Sequence, residues 1–265
     1  MQFFNPAHEI YKVYGDQRED RQRSLSHYPS GLCAINRKGD FIGKCRRAIV
    51  YEMLGELQSN PVDGVTLFKF DIGNMLHEKM SNMIDMALVA YYPGSNTYDD
   101  KLGYGREIVV KWKERGLLYP FSGKLDKRFF WDNLNMGSEW KSIYGRGVTD
   151  IKNNGPKEDA LLQVMSYMRQ KRYRLDAYIL SYIAKDSGYI YSFQFWYKDK
   201  QLRMRWLNSG AESVVPWRWA DIKRALMLVE EHMELETLPD RDYVQKHWRC
   251  NYCSYKDLCW AVHNG

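Results

Sequence analysis

The chain has 265 residues, 45% of them hydrophobic and 27% charged, and carries a net charge of +6 at neutral pH. No apolar run is long enough to span a bilayer, and the first twenty residues lack the apolar centre of a secretory signal. These features speak against a membrane partner and predict a cytoplasmic protein, in which the five cysteines stay reduced and act as metal ligands or core residues rather than disulfides.

Residues 1 to 29 are polar and read as an irregular or helical arm. CRRAIVYEMLGEL, residues 45 to 57, places Ile49, Met53 and Leu57 at helical spacing. After Asn60-Pro61 comes a longer helical stretch, residues 70 to 92, whose Met75, Met83 and Met86 are expected in the core. The turn-rich segment 91 to 105 reads as a loop. The period then changes: 106 to 112, 117 to 131 and 138 to 144 read as strands, with DNLNMG between the last two as a turn. Gly155-Pro156 opens another helix, with the proline placed where a first turn tolerates it. Residues 175 to 184 and 189 to 197 form a strand pair across Lys185-Asp186-Ser187-Gly188, and Trp217 to about Leu238 is helical again. The order predicts an α/β core with a helical cap made from both ends of the chain.

Three basic clusters, GKCRR (43 to 47), KWKER (111 to 115) and RQKRYR (169 to 174), suit a phosphate backbone or, equally, solvated helix faces. Side chains alternate along a strand, so Asp126 is expected opposite Leu125 and Phe129, while Glu139 and Lys141 share one face. If the two strands are neighbours, two carboxylates and an ammonium converge, which suits a hard divalent cation; an ordinary cross-strand ion pair is the plainer reading. Gln163 and Tyr167 lie four apart on the helix after Pro156, as a gripping pair or simply an amphipathic face. His77 is a surface residue or a nitrogen ligand. Near the end, CNYCSYKDLC sets Cys250, Cys253 and Cys259 at C-x2-C-x5-C spacing, one short of the four ligands that a zinc ion or an iron–sulfur cluster usually takes.

In order, His77, GKLD ending at Asp126, Glu139-Trp140-Lys141 and Gln163-x3-Tyr167 resemble the PD-(D/E)XK nuclease superfamily, in particular its RecB-like branch of CRISPR-associated Fe–S exonucleases and AddB-type nuclease domains. The resemblance covers residues 30 to 260, and the proline of the family name is absent. It implies a restriction-endonuclease-like mixed central sheet flanked by helices in a single nuclease domain, residues 1 to 265. Segments 30 to 60 and 217 to 265 would form a helical Fe–S cap, and 61 to 216 the catalytic core. It implies that Asp126, Glu139, His77 and the Trp140 carbonyl bind Mg2+ or Mn2+, that Lys141 positions or activates water, and that Gln163 and Tyr167 orient Lys141 or DNA. It implies too that Cys45 joins Cys250, Cys253 and Cys259 around a [4Fe–4S] cluster, with zinc as the other candidate and Cys33 left over. Glu107 is expected as an outer carboxylate. The activity implied is a metal-dependent deoxyribonuclease, an exonuclease on single-stranded DNA ends. Its rivals are a non-catalytic nucleic-acid-binding partner in CRISPR adaptation or recombination, and a nuclease serving a separate helicase chain. No phosphate loop supports a motor here, because Gly39 to Cys45 falls one residue short of that motif.

Overall fold

The computed structural model describes residues 6–16, 25–99 and 101–261. Helix α1 (Pro6–Asp16) lies along α3, with the Tyr14 hydroxyl donating to Asp71 Oδ2 at 2.8 Å. A small hairpin, β1 (Cys33–Ile35) and β2 (Phe41–Gly43), leads into α2 (Arg46–Leu54). Gly43 holds φ +83°, and a Cβ there would come within 2.4 Å of the Leu32 carbonyl, so only glycine makes this turn. Helix α2 ends at Gly55 in the left-handed region, which leaves Leu57 outside the helix and 81% exposed while Ile49 and Met53 are buried.

Helix α3 (Gly64–Tyr91) begins six residues before the expected Phe70, because Asp63 caps it by accepting from the Thr66 amide at 2.7 Å. Met75, Met83 and Met86 are 64%, 45% and 64% exposed, not core residues. The stripe that meets the sheet is Gly73, His77, Ser81, Ile84 and Leu88, which follows helical spacing but is half polar. The methionines therefore fall on the outer faces.

Seven strands form one mixed sheet: β3 (Gly105–Trp112), β4 (Phe121–Trp131), β5 (Leu134–Ile143), β6 (Ala177–Ala184), β7 (Ile190–Lys198), β8 (Gln201–Trp206) and β9 (Glu212–Val214), paired in that order. Strands β5 and β6 run parallel because α4 (Arg146–Asn154) and α5 (Glu158–Arg169) form the crossover between them; every other neighbouring pair is antiparallel. The β4–β5 turn is only Asp132-Asn133, both at positive φ (48° and 61°), so the rest of DNLNMG belongs to β5. Pro156 precedes the cap residue Lys157 and lies outside the first turn of α5. Helix α6 (Trp219–Glu234) stops at Leu235, before the expected Leu238, and the short α7 (Trp248–Asn251) and α8 (Lys256–Ala261) follow.

The main core lies between one sheet face and α2, α5 and α6, with Val50, Leu162, Tyr182, Phe193 and Ile222 at its centre. A smaller cluster, Leu88, Phe129, Met136 and Ala177, seals α3 against the other face. The fold is thus a seven-stranded mixed sheet flanked by helices, and among the described residues no helix is long and apolar enough to cross a membrane.

One buried charge fastens α6 to the segments before β4. Glu230, 3% exposed, accepts from His27 Nε2 at 2.8 Å and from the Leu118 and Tyr119 amides at 2.9 and 3.0 Å. Burial alone would raise its pKa, but these donors outweigh burial and hold it below the ordinary carboxylate value. A depressed folded pKa contributes stability above the unfolded value, and that stability is lost as pH falls through the folded one. Glu230→Gln should cost ~3 kcal/mol at neutral pH, since it leaves buried donors unpaired. Urea denaturation across a pH series should show the gap between variant and wild type narrowing below about pH 4.

Candidate functional site

Strands β3, β4 and β5 share a fault at one level. The β3–β4 ladder pairs Arg106 with Lys127 and Ile108 with Leu125 but skips Glu107 and Asp126, and the β4–β5 ladder stops at Lys127–Ser138, just short of Asp126 and Glu139. Glu107 there takes a left-handed φ of 53°. Alternation fails across the fault: Leu125 packs into the main core, whereas Lys127 pairs with Asp85 of α3 and Phe129 joins the α3 cluster. Leu125 and Phe129 therefore do not share a face, contrary to simple alternation. Asp126 stands at the switch, where its Oδ2 accepts from the Trp140 amide at 2.8 Å in place of a ladder bond.

The predicted acidic centre assembles around that switch. Glu139 is 5% exposed, and its Oε1 lies 2.6 Å from Lys141 Nζ. His77, from the sheet-facing stripe of α3, brings Nδ1 to 3.7 Å from Asp126 Oδ2. Burial pushes Glu139 up to about 7, against the pull of Lys141 and helped by Asp126. Burial also raises Asp126, although the Trp140 amide and Lys141 oppose it. Desolvation works against the Lys141 ammonium, but Glu139 more than compensates and its pKa is raised; desolvation lowers that of His77. Among the described residues, no group of three or more His, Cys, Asp or Glu side chains is drawn tightly enough to enclose a metal ion as they lie. Asp126 is engaged with Trp140 and Glu139 with Lys141, so both carboxylates would turn to share a cation. Their chemistry fits a hard divalent ion: oxygen donors from neighbouring strands, with a nitrogen beside them.

Of the two targets expected for Tyr167, Lys141 and DNA, the first is not met. Its hydroxyl donates to the Lys124 carbonyl at 2.7 Å and accepts from the Lys124 amide at 3.1 Å, which clamps β4 rather than Lys141. Gln163 and Tyr167 are both buried, so they do not form an exposed amphipathic face. With Lys124, Gly123 and Ser30 they line a groove of about 350 Å3. Glu107 is exposed and paired with Lys124, at the outer end of the row. Two participants gave little signal in the sequence. Tyr178 is fully buried, with its hydroxyl 3.5 Å from Glu139 Oε2, but reads as one more aromatic in an apolar strand. Asp85, on α3, joins Lys127 and Arg106 and thereby fixes α3 over the fault.

The cysteines fall into two sets. Cys45, Cys250, Cys253 and Cys259 all line one cavity of about 770 Å3, whereas Cys33 is fully buried in the main core. The strands of chain around the cavity are laced together. Arg46 grips Asp242 through its backbone amide (2.6 Å) and its guanidinium (2.7 Å), Arg47 Nε donates to the Pro239 carbonyl at 2.8 Å, and Asn60 bonds both backbone and side chain of Asp257. Tyr51 and Tyr255, both on the cavity wall, meet at a tilt, with centroids 5.4 Å apart. Burial pushes the Cys45 thiol up to about 11 and also raises Cys250 and Cys253. Bare thiolates are thus disfavoured there, and a bound cation would offset that penalty. Four thiols around one cavity fit a thiolate-bound metal group.

No family model matches the chain, and no curated protein matches it. A solved structure, described as the crystal structure of SSO0001, is similar over 97% of this chain and 98% of its own, at 14% identity and a TM-score of 0.48. A likeness at that level carries no information about function.

Gly123 allows α5 to approach the fault. A Cβ at this position would lie 2.7 Å from Pro29 Cγ and 2.9 Å from the Tyr167 hydroxyl. Gly123→Ala should destabilise the fold by ~2 kcal/mol through overpacking. Thermal unfolding checks this, and pairing with Tyr167→Phe should recover part of the loss.

Proposed function

We propose that this protein is a divalent-metal-dependent deoxyribonuclease that hydrolyses phosphodiester bonds, acting at single-stranded DNA ends. The observation that carries the reading is buried Glu139 paired with the partly exposed Lys141, 2.6 Å apart, beside Asp126 at a fault in the ladder, with His77 reaching in from α3. A purely structural ion pair needs neither the interrupted pairing nor the second carboxylate. Asp126, Glu139, His77 and the Trp140 carbonyl would hold Mg2+ or Mn2+, which when bound supplies Lewis-acid polarisation of a phosphate. Lys141 is an ammonium placed to orient a water or to hold a phosphate oxygen as charge develops on it. Gln163 and the Lys124 cation line the adjoining groove, where a strand's sugar–phosphate backbone would lie.

In the same reading Cys45, Cys250, Cys253 and Cys259 hold a [4Fe–4S] cluster, with zinc as the alternative occupant. Its role is a clamp: cross-linking residue 45 to residue 250 closes a long loop and fixes α2 against α7 and α8. A helicase or a CRISPR-adaptation or recombination protein is the kind of partner such an enzyme would serve.

End-labelled single- and double-stranded DNA, incubated with Mg2+, with Mn2+ and with EDTA, tests the activity. Wild type should cleave only with metal, and Asp126→Asn and Lys141→Ala should each lower the rate at least about a hundredfold while still unfolding in one cooperative transition above the assay temperature. Undiminished cleavage by both variants sinks the assignment, and metal-independent DNA binding without cleavage by wild type would favour a non-catalytic role. Cys253→Ser should remove visible absorbance from protein purified without oxygen and lower the melting temperature. A colourless wild type that carries stoichiometric zinc would replace the cluster with zinc.

A further inference from the structure

A second cavity, about 640 Å3 in volume, opens at the C-terminal end of α5, and nothing in the acidic centre uses it. Helix α5 separates the two regions: Gln163 and Tyr167 line the groove near the carboxylates, whereas Met165, Met168 and Arg169 line this cavity. Five cationic side chains border it, Arg169, Lys171, Arg174, Lys200 and Arg218, and no carboxylate is among its lining residues. Three come from the basic cluster at residues 169 to 174; the others come from the β7–β8 turn and the start of α6. Arg169 is partly neutralised by Glu114, 3.1 Å away. Asp221 lies in the first turn of α6, where its side chain accepts from the Arg218 amide at 2.9 Å and is thus occupied in capping the helix.

Two buried donors on the cavity have no partner. Gln170 is 2% exposed, and its Oε1 accepts from the Tyr173 amide at 3.0 Å, which fixes the amide and leaves Nε2 unbonded. The indole Nε1 of Trp219 is likewise buried and unbonded. Neither nitrogen has surface open to the cavity as the side chains lie, so the preference for a negatively charged ligand comes from the five cations and the lack of a carboxylate in the lining. The rings of Tyr197, Trp217 and Trp219 add stacking surface. Cations with aromatic rings suit a phosphate joined to a planar base better than a bare anion.

We propose that this cavity is a second nucleotide-binding site, which takes the phosphate and base of a nucleotide unit. The expected source is a single strand that continues past α5, and a free mononucleotide shares the same chemistry. The inference extends the nuclease reading by giving a strand a second hold, but binding here does not require cleavage.

The test uses the full chain in EDTA with a short fluorescein-labelled oligothymidylate, followed by fluorescence anisotropy over a range of salt concentrations. Lys171→Ala combined with Lys200→Gly removes two exposed cations, and glycine suits the positive φ of 61° at position 200. Affinity should fall about tenfold, and the slope of log K against log salt should flatten by about 1.4, at 0.7 per single-strand contact. Trp217→Leu should weaken oligothymidylate and leave inorganic phosphate competition unchanged. Competition by dTMP as effective as that by the oligonucleotide identifies a free nucleotide as the occupant, whereas competition by oligonucleotide alone identifies a strand; both support the site. Unchanged affinity and slope in the double variant overturn the proposal, as does inorganic phosphate competing as well as dTMP. Binding is measured in EDTA, so a failure of the nuclease reading would appear in the cleavage assay and leave this result standing.

Discussion

The structure depends on an interruption: at Asp126, strand β4 breaks its pairing on both sides. A residue inside a sheet normally spends its backbone groups on its neighbours and its side chain on one face. Here the Asp126 carboxylate takes the Trp140 amide instead, at 2.8 Å, and the faces of β4 exchange across it. That exchange lets one strand feed the main core at Leu125 and the α3 cluster at Phe129. It also leaves an opening at which Glu107, Asp126 and Glu139 stand in a row across three strands. The break and the acidic centre are one feature.

Two buried contacts keep the fault from collapsing. On the α3 side, Lys127 is fully buried against Asp85, which also binds Arg106 at 2.6 Å, so α3 and His77 are registered over the opening. On the α5 side, Tyr167 clamps the Lys124 peptide, and Gly123 lets the two approach. The cap acts at longer range. Glu230 ties α6 to His27 and the approach to β4, while Arg46 and Arg47 tie α2 to the segment after α6. The cysteine cavity lies inside that lacing, so a metal group held there would stiffen contacts that already exist.

Much of this was legible in the residues, for identifiable reasons. Strand and helix patterns placed β3 to β7 and α5, and two-residue spacing put Glu139 and Lys141 on one face, because alternation is a local property. The choice of Cys45 over Cys33 came from the resemblance; in the fold Cys33 lies in the core and the other four cysteines line one cavity. What failed depended on distant neighbours. Met75, Met83 and Met86 were expected in the core, but the sheet-facing stripe of α3 is half polar because it covers the acidic centre. The alternation through Asp126 broke for the same reason. Asp132-Asn133 closes a tight hairpin by adopting positive φ at two non-glycine residues, a choice that composition only hints at. Helix α4, only nine residues long and mostly polar, went unread, as did the short strand β8 and the edge strand β9.

The central claim is that side chains from β4, β5 and α3 converge on one cation. The most direct measurement is anomalous diffraction from crystals soaked in Mn2+. The account predicts a single strong peak bounded by Asp126, Glu139 and His77, lost in Asp126→Asn. A map with no peak between those side chains, from protein that cleaves DNA with Mn2+, would contradict it.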